Sequence, residues 1–516
     1  MKEKWSNRTA FILAAIGSAV GLGNAWRFPG LCAKFGGGAF LFAYIICLLA
    51  LGIPILMMEI ALGRKTRGSM PRALRSINKK SEPIAWAAVG NVFVIITYYA
   101  VVFAWCILMC FLAYKFATTN STPETAQNLW ADSIGTTFDT SLLGDGGNMK
   151  VLMLICLLIA WIFIYGCIRK GVSQVSKVVK YTVFLPIIML LILAIKGFIN
   201  NPHLGDALGA LFIPNWTEFG NVNLWINAMG QSFFSLGIIT SVMFAYGSYL
   251  SDSSNIAKDA MIVAFSDLAI SILSGIVLFT TMYQTGMTIE DMSISGVSTA
   301  FIIYPTAIVS LTGVPALNAI FGFVFYFMLC TLAIDSAFSM LESISESISD
   351  KFRIRKKKVT LVITIIAGLI SVIFITGAGV TYIDIVDNWI NQYSVILVGI
   401  LETILVGWFF KPKLVLDEIN KNTNKFKMPK WWFISSIKIL APLSLAFLFI
   451  WQVIGLINNG FRYNTDYDLP AEIIGGWLVS ILVLSSGFFI NLYMKKSQRG
   501  NTLFKLEERE NSWKEK

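Results

Sequence analysis

A cluster of glycine and polar residues interrupts the first apolar stretch of the chain, which reads GSAVGLGNAWRFP from Gly17 to Pro29. Each glycine inside a helix costs about 1 kcal/mol relative to alanine, and an arginine at membrane depth costs at least ~2.5 kcal/mol. A sequence that keeps such residues in an apolar helix is expected to break that helix. Broken membrane helices expose backbone N–H and C=O groups, which bind ions and small zwitterions. The segment therefore predicts the binding centre of a transporter.

A second polar interruption lies in the segment from Trp225 to Tyr249, which reads WINAMGQSFFSLGIITSVMFAYGSY. Small residues used for close helix packing would explain its glycines and serines. They would not explain Gln231, nor the acids expected inside other spans, Asp267 and Asp335. Two helices interrupted at corresponding depth predict two units of inverted topology, with a substrate site at their interface.

Composition indicates a membrane protein, because 56% of the 516 residues are hydrophobic and only 14% are charged. Many apolar runs are long enough to cross a bilayer, and the pattern predicts an all-α polytopic fold with twelve transmembrane helices. Their expected centres are at about residues 21, 51, 101, 159, 189, 237, 271, 334, 367, 394, 445 and 484.

The predicted architecture is a 5+5 inverted repeat in which helices 1 and 6 are broken. The first five-helix unit is expected to cover residues 1–200 and the second residues 201–410. Residues 411–516 would hold helices 11 and 12 and a cytoplasmic tail.

The distribution of basic residues predicts the orientation. The N-terminus, alternate connections and C-terminal tail hold 34 of the 41 Lys and Arg, whereas the opposite loops hold only Arg462. By the positive-inside rule, both termini are expected in the cytoplasm of a plasma (inner) membrane protein. This topology also explains the net charge of +11, and the short basic loop at 351–358 does not indicate nucleic-acid binding.

No motif indicates an enzyme. The single histidine, His203, lies beside Pro202 in an expected external loop, which excludes a histidine-centred catalytic site. The seven cysteines lie within or at the ends of spans and have neither disulfide-framework nor metal-site spacing. We expect no enzymatic activity and no organic cofactor.

A series of motifs, in order along residues 2–410, resembles the neurotransmitter:sodium symporter family, and in particular its bacterial leucine, tryptophan and tyrosine transporters. These motifs are GSAVGLGNAWRFP, GGGAFLFAYII with PILMMEIALGR, the pair Tyr98-Tyr99, IPNW followed by GQSFFSLG, AFIIYPTAI, and LAIDSAFSMLES. The resemblance implies sodium-coupled symport by alternating access, without covalent chemistry.

The resemblance implies two co-transported sodium ions. The first would be bound by the Ala19 carbonyl, the Asn24 side chain, Ser235, Asp267 and the carboxylate of the substrate. The family usually has asparagine where this chain has Asp267. An acid inside a span needs a positive partner, and a bound sodium ion provides one.

Chloride independence is predicted from the same acid. In chloride-dependent relatives, an anion is held by residues that match Tyr44, Gln231, Ser235 and Ser271. Asp267 lies one helical turn before Ser271 and would repel a second negative charge. The alternative is proton antiport, in which Asp267 is protonated during the return step.

The second sodium site implied by the resemblance combines backbone carbonyls with two side chains. The carbonyls belong to Gly17, Val20 and Leu332, and the side chains to Asp335 and Ser336. Oxygen ligands suit a hard cation. The alternative role for Asp335 is a structural ion pair inside the bundle.

The resemblance also implies an α-amino acid substrate. Monoamine carriers of the family have aspartate at the position of Gly21, where this chain leaves room for a carboxylate near the first sodium. That carboxylate would meet the N–H groups of Leu22 and Gly23 at the positive end of a half-helix. The implied substrate-binding residues are Ala19, Gly21, Leu22, Gly23, Ile95, Tyr99, Phe234, Ser235, Gly237, Thr240, Ser336 and Met340.

The side chain of this substrate is expected to be neutral and large, either aliphatic or aromatic. Gly237 and Thr240 replace larger residues of the bacterial leucine carriers, and both replacements enlarge the pocket. Met340 keeps the pocket apolar and deformable.

Gates are implied at both ends of the pathway. Outside, Arg27 and Asp387 match the charged pair of the family, above an aromatic lid of Phe234 and Tyr99. Inside, the family pattern pairs an acid at the end of helix 8 with a basic residue near the N-terminus. The residues implied in this inner gate are Asp350, Lys2, Trp5, Ser248 and Tyr249, with Glu59 as a buried structural acid nearby.

These inferences predict a sodium-coupled symporter that imports a neutral α-amino acid across a lipid bilayer. The alternative from another class is a membrane receptor that binds the amino acid without net flux. Gates at both ends argue against a receptor, because a receptor needs only one entrance. Proton-coupled uptake centred on Asp267 is the alternative within transport.

Overall fold

The computed structural model describes residues 3–118, 122–136, 149–284, 286, 299–309, 311–422, 426–497, 500, 502–503 and 513. Within these residues the chain is helical and contains no β-strand. We number nineteen helices in this part of the chain and leave the short 3-10 turn at Trp216–Gly220 unnumbered.

The helices are bounded as follows, in chain order. The first nine are α1 Arg8–Ala19, α2 Gly23–Lys34, α3 Gly38–Thr66, α4 Met70–Ile77, α5 Glu82–Thr118, α6 Pro123–Ile134, α7 Val151–Ile168, α8 Val172–Phe198 and α9 Leu204–Phe212. The other ten are α10 Val222–Ser235, α11 Val242–Ser248, α12 Ile256–Gln284, α13 Ala300–Val309, α14 Pro315–Phe352, α15 Lys356–Ile375, α16 Gly379–Trp408, α17 Pro412–Ile419, α18 Lys430–Asn458 and α19 Leu469–Lys496.

Ten of these helices are long and apolar enough to cross a membrane, namely α3, α5, α7, α8, α12, α14, α15, α16, α18 and α19. The bent pair α1 and α2 brings the number to eleven among the described residues. The all-helical, multi-pass membrane fold is therefore confirmed, whereas the count of twelve spans stays a prediction. The division into two inverted five-helix units also stays a prediction.

The first predicted break lies between α1 and α2, whose axes differ in direction by 52°. The backbone leaves the helical region at Val20, where ψ is 107°. The break therefore ends the hydrogen-bonding pattern of α1 at the glycine cluster, and the last carbonyls of α1 lose their partners within the helix.

The second predicted break lies between α10 and α11, over residues 236–241. Three of its residues, Gly237, Ile239 and Ser241, have positive φ angles of 59°, 66° and 63°. Glycine adopts this conformation readily, but a β-branched isoleucine is strained there. The chain thus accepts backbone strain where it interrupts the sixth predicted span.

The longest helices, α5 and α14, pack along each other in the interior. The peripheral helices instead expose large apolar side chains, for example Ile162 on α7, Leu369 on α15 and Phe489 on α19. Such side chains suit contact with lipid acyl chains. The membrane-facing surface therefore surrounds a core that holds the two broken helices.

A buried acid, Glu472, links α19 to α16 by a hydrogen bond. Glu472 is fully buried, and its Oε2 accepts a hydrogen bond of 2.9 Å from Nε1 of Trp389. Its Oε1 accepts a second bond of 3.0 Å from the backbone of Asn464. The final span therefore anchors the helix that carries Asp387.

Candidate functional site

The two breaks face a common cavity of about 130 Å³. All twelve residues expected to bind substrate line this cavity, on α1, α2, α5, α10, α14 and the two breaks. They are Ala19, Gly21, Leu22, Gly23, Ile95, Tyr99, Phe234, Ser235, Gly237, Thr240, Ser336 and Met340. Their common location makes the cavity the candidate binding site.

Space for a ligand group beside Gly21 depends on the absence of a side chain. A Cβ at Gly21 would lie 2.8 Å from Oγ of Ser336 and 3.3 Å from the hydroxyl oxygen of Tyr99. The Tyr99 hydroxyl is buried and has no hydrogen-bond partner among the described residues. A buried donor without a partner is costly, so this hydroxyl is available to an acceptor on a ligand.

One end of the cavity is bordered by a hydrogen-bonded polar cluster around Asp267. Nδ2 of Asn24 donates to Oδ1 of Asp267 over 2.7 Å, and Oγ of Ser235 lies 2.7 Å from both carboxyl oxygens. Asn24 and Asp267 are nearly or fully buried. Three of the four residues expected at the first sodium site therefore contact one another, while Ala19 ends α1 nearby on the cavity wall.

Of the residues expected to match a chloride site, Tyr44, Ser235 and Ser271 belong to the cluster around Asp267, whereas Gln231 has no hydrogen-bond partner among the described residues. The hydroxyl of Tyr44 donates to Oδ2 of Asp267 over 2.8 Å, and Oγ of Ser271 accepts from Asn24 over 2.8 Å. Gln231 is buried, and neither its Nε2 nor its Oε1 has a partner among the described residues. Two donors that an anion would need, Tyr44 and Ser235, are thus directed at a carboxylate of the chain itself.

The second expected sodium site surrounds Asp335 on α14. Asp335 is only 2% exposed, and its Oδ1 has no hydrogen-bond partner among the described residues. Its Oδ2 lies 2.5 Å from where a Cβ at Gly17 would be, so the carboxyl group approaches the backbone of α1. A small cavity of about 10 Å³ beside it is lined by Val20, Leu332 and residues of α8.

This arrangement can hold a cation. An unpaired carboxylate inside a membrane protein is costly unless a positive charge accompanies it. α1 ends close to Asp335, and Ser336, the next residue on α14, donates a hydrogen bond from its Oγ to the Ser18 carbonyl over 3.3 Å. Unwound carbonyls combined with carboxylate oxygens are suitable ligands for sodium.

Two serine residues that line the cavity were not predicted from the sequence. Ser18 and Ser339 both border it, and Oγ of Ser18 donates to Oγ of Ser339 over 2.8 Å. Ser339 lies three residues after Ser336, so helical spacing was the signal that could have indicated it. For Ser18, the only available signal was its position next to the first break.

The outer residues Arg27 and Asp387 do not form the expected ion pair. The guanidinium of Arg27 lies over the ring of Phe234, 5.1 Å from its centroid. Asp387 accepts hydrogen bonds from the Tyr98 hydroxyl over 2.7 Å and from Asn391 over 2.8 Å. Each group therefore has another partner, and the two do not pair directly in this conformation.

The aromatic lid is also incomplete. Phe234 is 39% exposed, and the cavity continues beyond it to Arg27, Asn391 and Gln392. The outer side of the candidate site is therefore not sealed by the residues expected to close it.

The inner end is closed by packed aromatic residues. Nε1 of Trp5 donates to the Tyr246 carbonyl over 3.0 Å, and its ring makes edge contacts with Tyr246 and Tyr249. Trp5, Ser248 and Tyr249 are all buried. These three residues lie together, as expected for an inner gate.

Asp350, the acid of the expected inner charged pair, contacts the start of α4, and its pairing with Lys2 stays a prediction. Asp350 accepts hydrogen bonds from the backbone and hydroxyl of Ser69, over 3.0 Å and 3.1 Å. It also lies 3.2 Å from Nη1 of Arg72. Its expected partner, Lys2, lies outside the described residues.

A second inner cluster, absent from the sequence-based expectations, is centred on Lys356. Its Nζ contacts Glu342, lies 3.1 Å from Glu3 and lies 3.7 Å from Glu346. It also lies 2.9 Å from the hydroxyl of Tyr249. The spacing of the two α14 acids by one helical turn was the available signal, whereas the basic run that holds Lys356 is already explained by membrane topology.

We expect Lys356→Ala to open the inner gate, because it leaves Glu342 buried beside Tyr249 without its cation. The measurement is the labelling rate of Ser248→Cys by a thiol reagent added from the cytoplasmic side. We expect a rate about tenfold faster than in the background with Lys356 intact. An unchanged rate would contradict the role of this cluster, and the exposed neighbour Lys357→Ala serves as the matched control.

Glu59 contacts the second break directly. It is fully buried, and its Oε1 accepts a hydrogen bond of 2.6 Å from the backbone N–H of Ile239. Ile239 is the residue strained by its positive φ angle. The position of Glu59 agrees with the structural role expected for it, since the bond compensates part of that strain.

Comparisons with known proteins agree with these features. A sequence model described as the "Sodium:neurotransmitter symporter family" matches residues 2–135 and 114–499. The chain is 31% identical to an uncharacterized sodium-dependent transporter of Methanocaldococcus jannaschii, covering 92% of the chain and 95% of the relative. It is 30% identical to the sodium- and chloride-dependent GABA transporter 2 of Rattus norvegicus, covering 93% and 84%. It is also 28% identical to the sodium- and chloride-dependent taurine transporter of Homo sapiens, covering 93% and 82%.

Proposed function

Because the chain belongs to the sodium:neurotransmitter symporter family, we propose that it imports a neutral α-amino acid together with sodium. It is a multi-pass membrane transporter and not an enzyme. The proposal rests on the cavity between the two broken helices. The Tyr99 hydroxyl, which has no hydrogen-bond partner among the described residues, lies there beside the space at Gly21. That space suits a carboxylate, and the apolar wall of Ile95 and Met340 suits a large aliphatic or aromatic side chain.

Substrate class is tested by sodium-dependent binding to the purified protein. A panel of neutral α-amino acids should compete for binding in sodium but not in choline. GABA and taurine, named for two relatives, belong in the panel because they separate the acid and amine groups differently. Preferential binding of either would replace the α-amino acid assignment while leaving the transporter assignment intact.

Two sodium ions are proposed as co-substrates. The first would use the Ala19 carbonyl with Asn24, Ser235 and Asp267, and the substrate carboxylate would complete its ligands. The second would use the carbonyls of Gly17, Val20 and Leu332 with the side chains of Asp335 and Ser336. In support, both acids are buried, and each lies beside one end of the α1 break.

The transport cycle we propose follows from the arrangement of the gates. Substrate and sodium would enter past Arg27, Phe234 and Asp387, where the cavity is not sealed. Closure of that side and separation of Trp5 from Tyr249 would then release them to the cytoplasm. Both termini are proposed to face the cytoplasm of a plasma membrane, because basic residues concentrate on that side.

Chloride independence is proposed because Asp267 receives the donors that an anion would need. We expect Asp267→Asn, which restores the residue usual in the family, to make uptake depend on chloride. Tyr44 and Ser235 would then be free to bind the anion. Uptake by this variant should fall at least about tenfold when gluconate replaces chloride, whereas wild-type uptake should not change. Chloride-dependent uptake by the wild type would contradict the proposal.

Two alternatives are distinguished by flux. A receptor would bind the amino acid without accumulation. The cavity lies between residues suited to gate both ends, which argues against a receptor. Proton-coupled transport through Asp267 would persist when choline replaces sodium at constant pH. In support of sodium coupling, Asn24 and Ser235, two residues proposed to bind the first sodium ion, both contact the Asp267 carboxyl group.

A further inference from the structure

Two buried acids meet behind the second break, away from the proposed sodium ligands. Glu59 on α3 and Glu402 on α16 are both fully buried. Neither carboxyl oxygen of Glu402 has a hydrogen-bond partner among the described residues, and the same holds for Oε2 of Glu59. A buried acceptor without a donor is costly. These three oxygens therefore need a ligand that the described side chains do not provide.

Ile239 of the second break connects the two acids. Its backbone N–H donates to Oε1 of Glu59 over 2.6 Å. Its side chain lies against α16, because a Cβ at Gly399 would lie 2.6 Å from its Cδ1. Glu402 follows Gly399 by three residues and so lies on the same face of α16. The two carboxyl groups are close enough for the charge of Glu402 to act on Glu59.

No cation neutralises this pair within the described part of the chain. Glu402 is the one titratable group there whose charge acts on Glu59, and none acts on Glu402 from a basic residue. The charged residues of the neighbouring helices have other partners, namely Arg64 with Glu418 over 2.8 Å, Asp259 with Arg8 over 2.5 Å, and Lys438 over the ring of Trp408.

Two neighbouring carboxylates buried without a cation are not stable when both are ionised. One proton removes both difficulties, because it cancels one charge and turns one acid into a donor for an oxygen of the other. The bond from Ile239 to Glu59 favours the ionised form of Glu59. Glu402, which receives no bond from the described residues, is then the acid that carries the proton.

We propose that Glu59 and Glu402 share one bound proton, and that this proton holds α3 and α16 together behind the second break. Loss of the proton would leave two like charges, whose repulsion separates the two helices. Ile239, which is strained by a φ angle of 66°, would then lose the support of both. This proton site is separate from Asp267 and does not depend on which substrate is carried.

Infrared spectroscopy of the purified full-length protein tests the proton directly. Protonated carboxyl groups give a C=O stretching band that ionised ones lack. We expect Glu402→Gln to lose one carboxyl group's share of this band at neutral pH. The matched control is Glu472→Gln, because Glu472 is equally buried but both its oxygens accept hydrogen bonds. Its variant should keep the whole band. An undiminished band in Glu402→Gln would overturn the proposal.

The pH dependence of sodium-driven uptake tests the role of the proton. Each rate is divided by the rate of the same protein at neutral pH, so that titration of the substrate is common to all proteins. We expect wild-type and Glu472→Gln uptake to fall about tenfold for each pH unit above the point where the proton is lost. Glu402→Gln cannot lose this proton and should show at most the fall that the substrate itself causes.

The two measurements separate this proposal from the proposed function. Equal alkaline decline in the wild type and Glu402→Gln would overturn the role of the proton in holding the two helices. Absence of amino-acid uptake at every pH would overturn the proposed function, whereas the infrared band would still decide whether the proton is bound.

Discussion

Asp267→Ala is expected to abolish sodium-dependent substrate binding while leaving a folded protein. The carboxyl group collects hydrogen bonds from Asn24, Ser235 and Tyr44. Removing it takes away the full negative charge of this cluster and releases three side chains that position the proposed ion. We expect the apparent affinity for substrate in sodium to fall by more than about 100-fold, which corresponds to about 3 kcal/mol. Equilibrium binding in detergent, with sodium titrated at fixed substrate, measures this change.

The control for this variant lies on the same helix. Ser274 is fully buried on α12, seven residues after Asp267, and its hydroxyl has no partner among the described residues. Ser274→Ala should therefore keep wild-type binding. Size-exclusion chromatography of both variants checks folding. Wild-type sodium affinity in a folded Asp267→Ala protein would refute the first sodium site.

Asp335→Asn is expected to remove the second sodium ion and with it most of the driving force for transport. The variant keeps the size of the side chain but loses the charge that faces Gly17. We expect uptake to need about 100-fold more sodium, and its sodium dependence to change from sigmoidal to hyperbolic. Initial rates of uptake into proteoliposomes across a range of sodium concentrations give both quantities.

Thr331→Val provides the comparison for Asp335→Asn. Thr331 lies one turn earlier on α14, is buried and bonds only the Met328 carbonyl among the described residues. We expect its sodium dependence to stay sigmoidal. If Asp335→Asn retained a sigmoidal dependence with unchanged sodium affinity, Asp335 would be a structural acid and not a ligand.

The sequence was most informative where it violated the rules for membrane helices. Glycines and polar residues in two apolar stretches predicted both breaks, because such residues are unfavourable in an intact span. The centres expected for spans 1 and 6 coincide with Gly21 and Gly237, which lie inside the two breaks. The residues expected to bind substrate followed from the family resemblance, and the structure places them around one cavity.

The sequence did not predict which of several possible partners the charged side chains of the outer gate contact. Arg27 and Asp387 are oppositely charged, yet Arg27 contacts Phe234 and Asp387 bonds Tyr98 and Asn391. Their separation depends on the conformation of the outer side, which no local pattern encodes. The place of Ser18 in the cavity wall likewise depends on where α1 ends, to within one residue.

Long-range contacts of buried charges were also missed. Glu472 on the final span gave no local signal of its bond to Trp389, because the two residues are far apart in the sequence. The link nevertheless makes the last helix part of the support for the outer side of the site. Similarly, Lys356 belongs to a basic run that the positive-inside rule explains fully. The sequence therefore gave no separate indication of its contacts with Glu342 and Glu346.

Flux into liposomes is the measurement that tests sodium-driven accumulation of an α-amino acid. Purified protein in liposomes is given labelled neutral α-amino acids, with an inward gradient of sodium or of potassium and with gluconate replacing chloride throughout. We expect accumulation above equilibrium with sodium and none with potassium. Sodium-dependent binding without accumulation would contradict symport and support a receptor, whereas equal accumulation in both gradients would contradict sodium coupling.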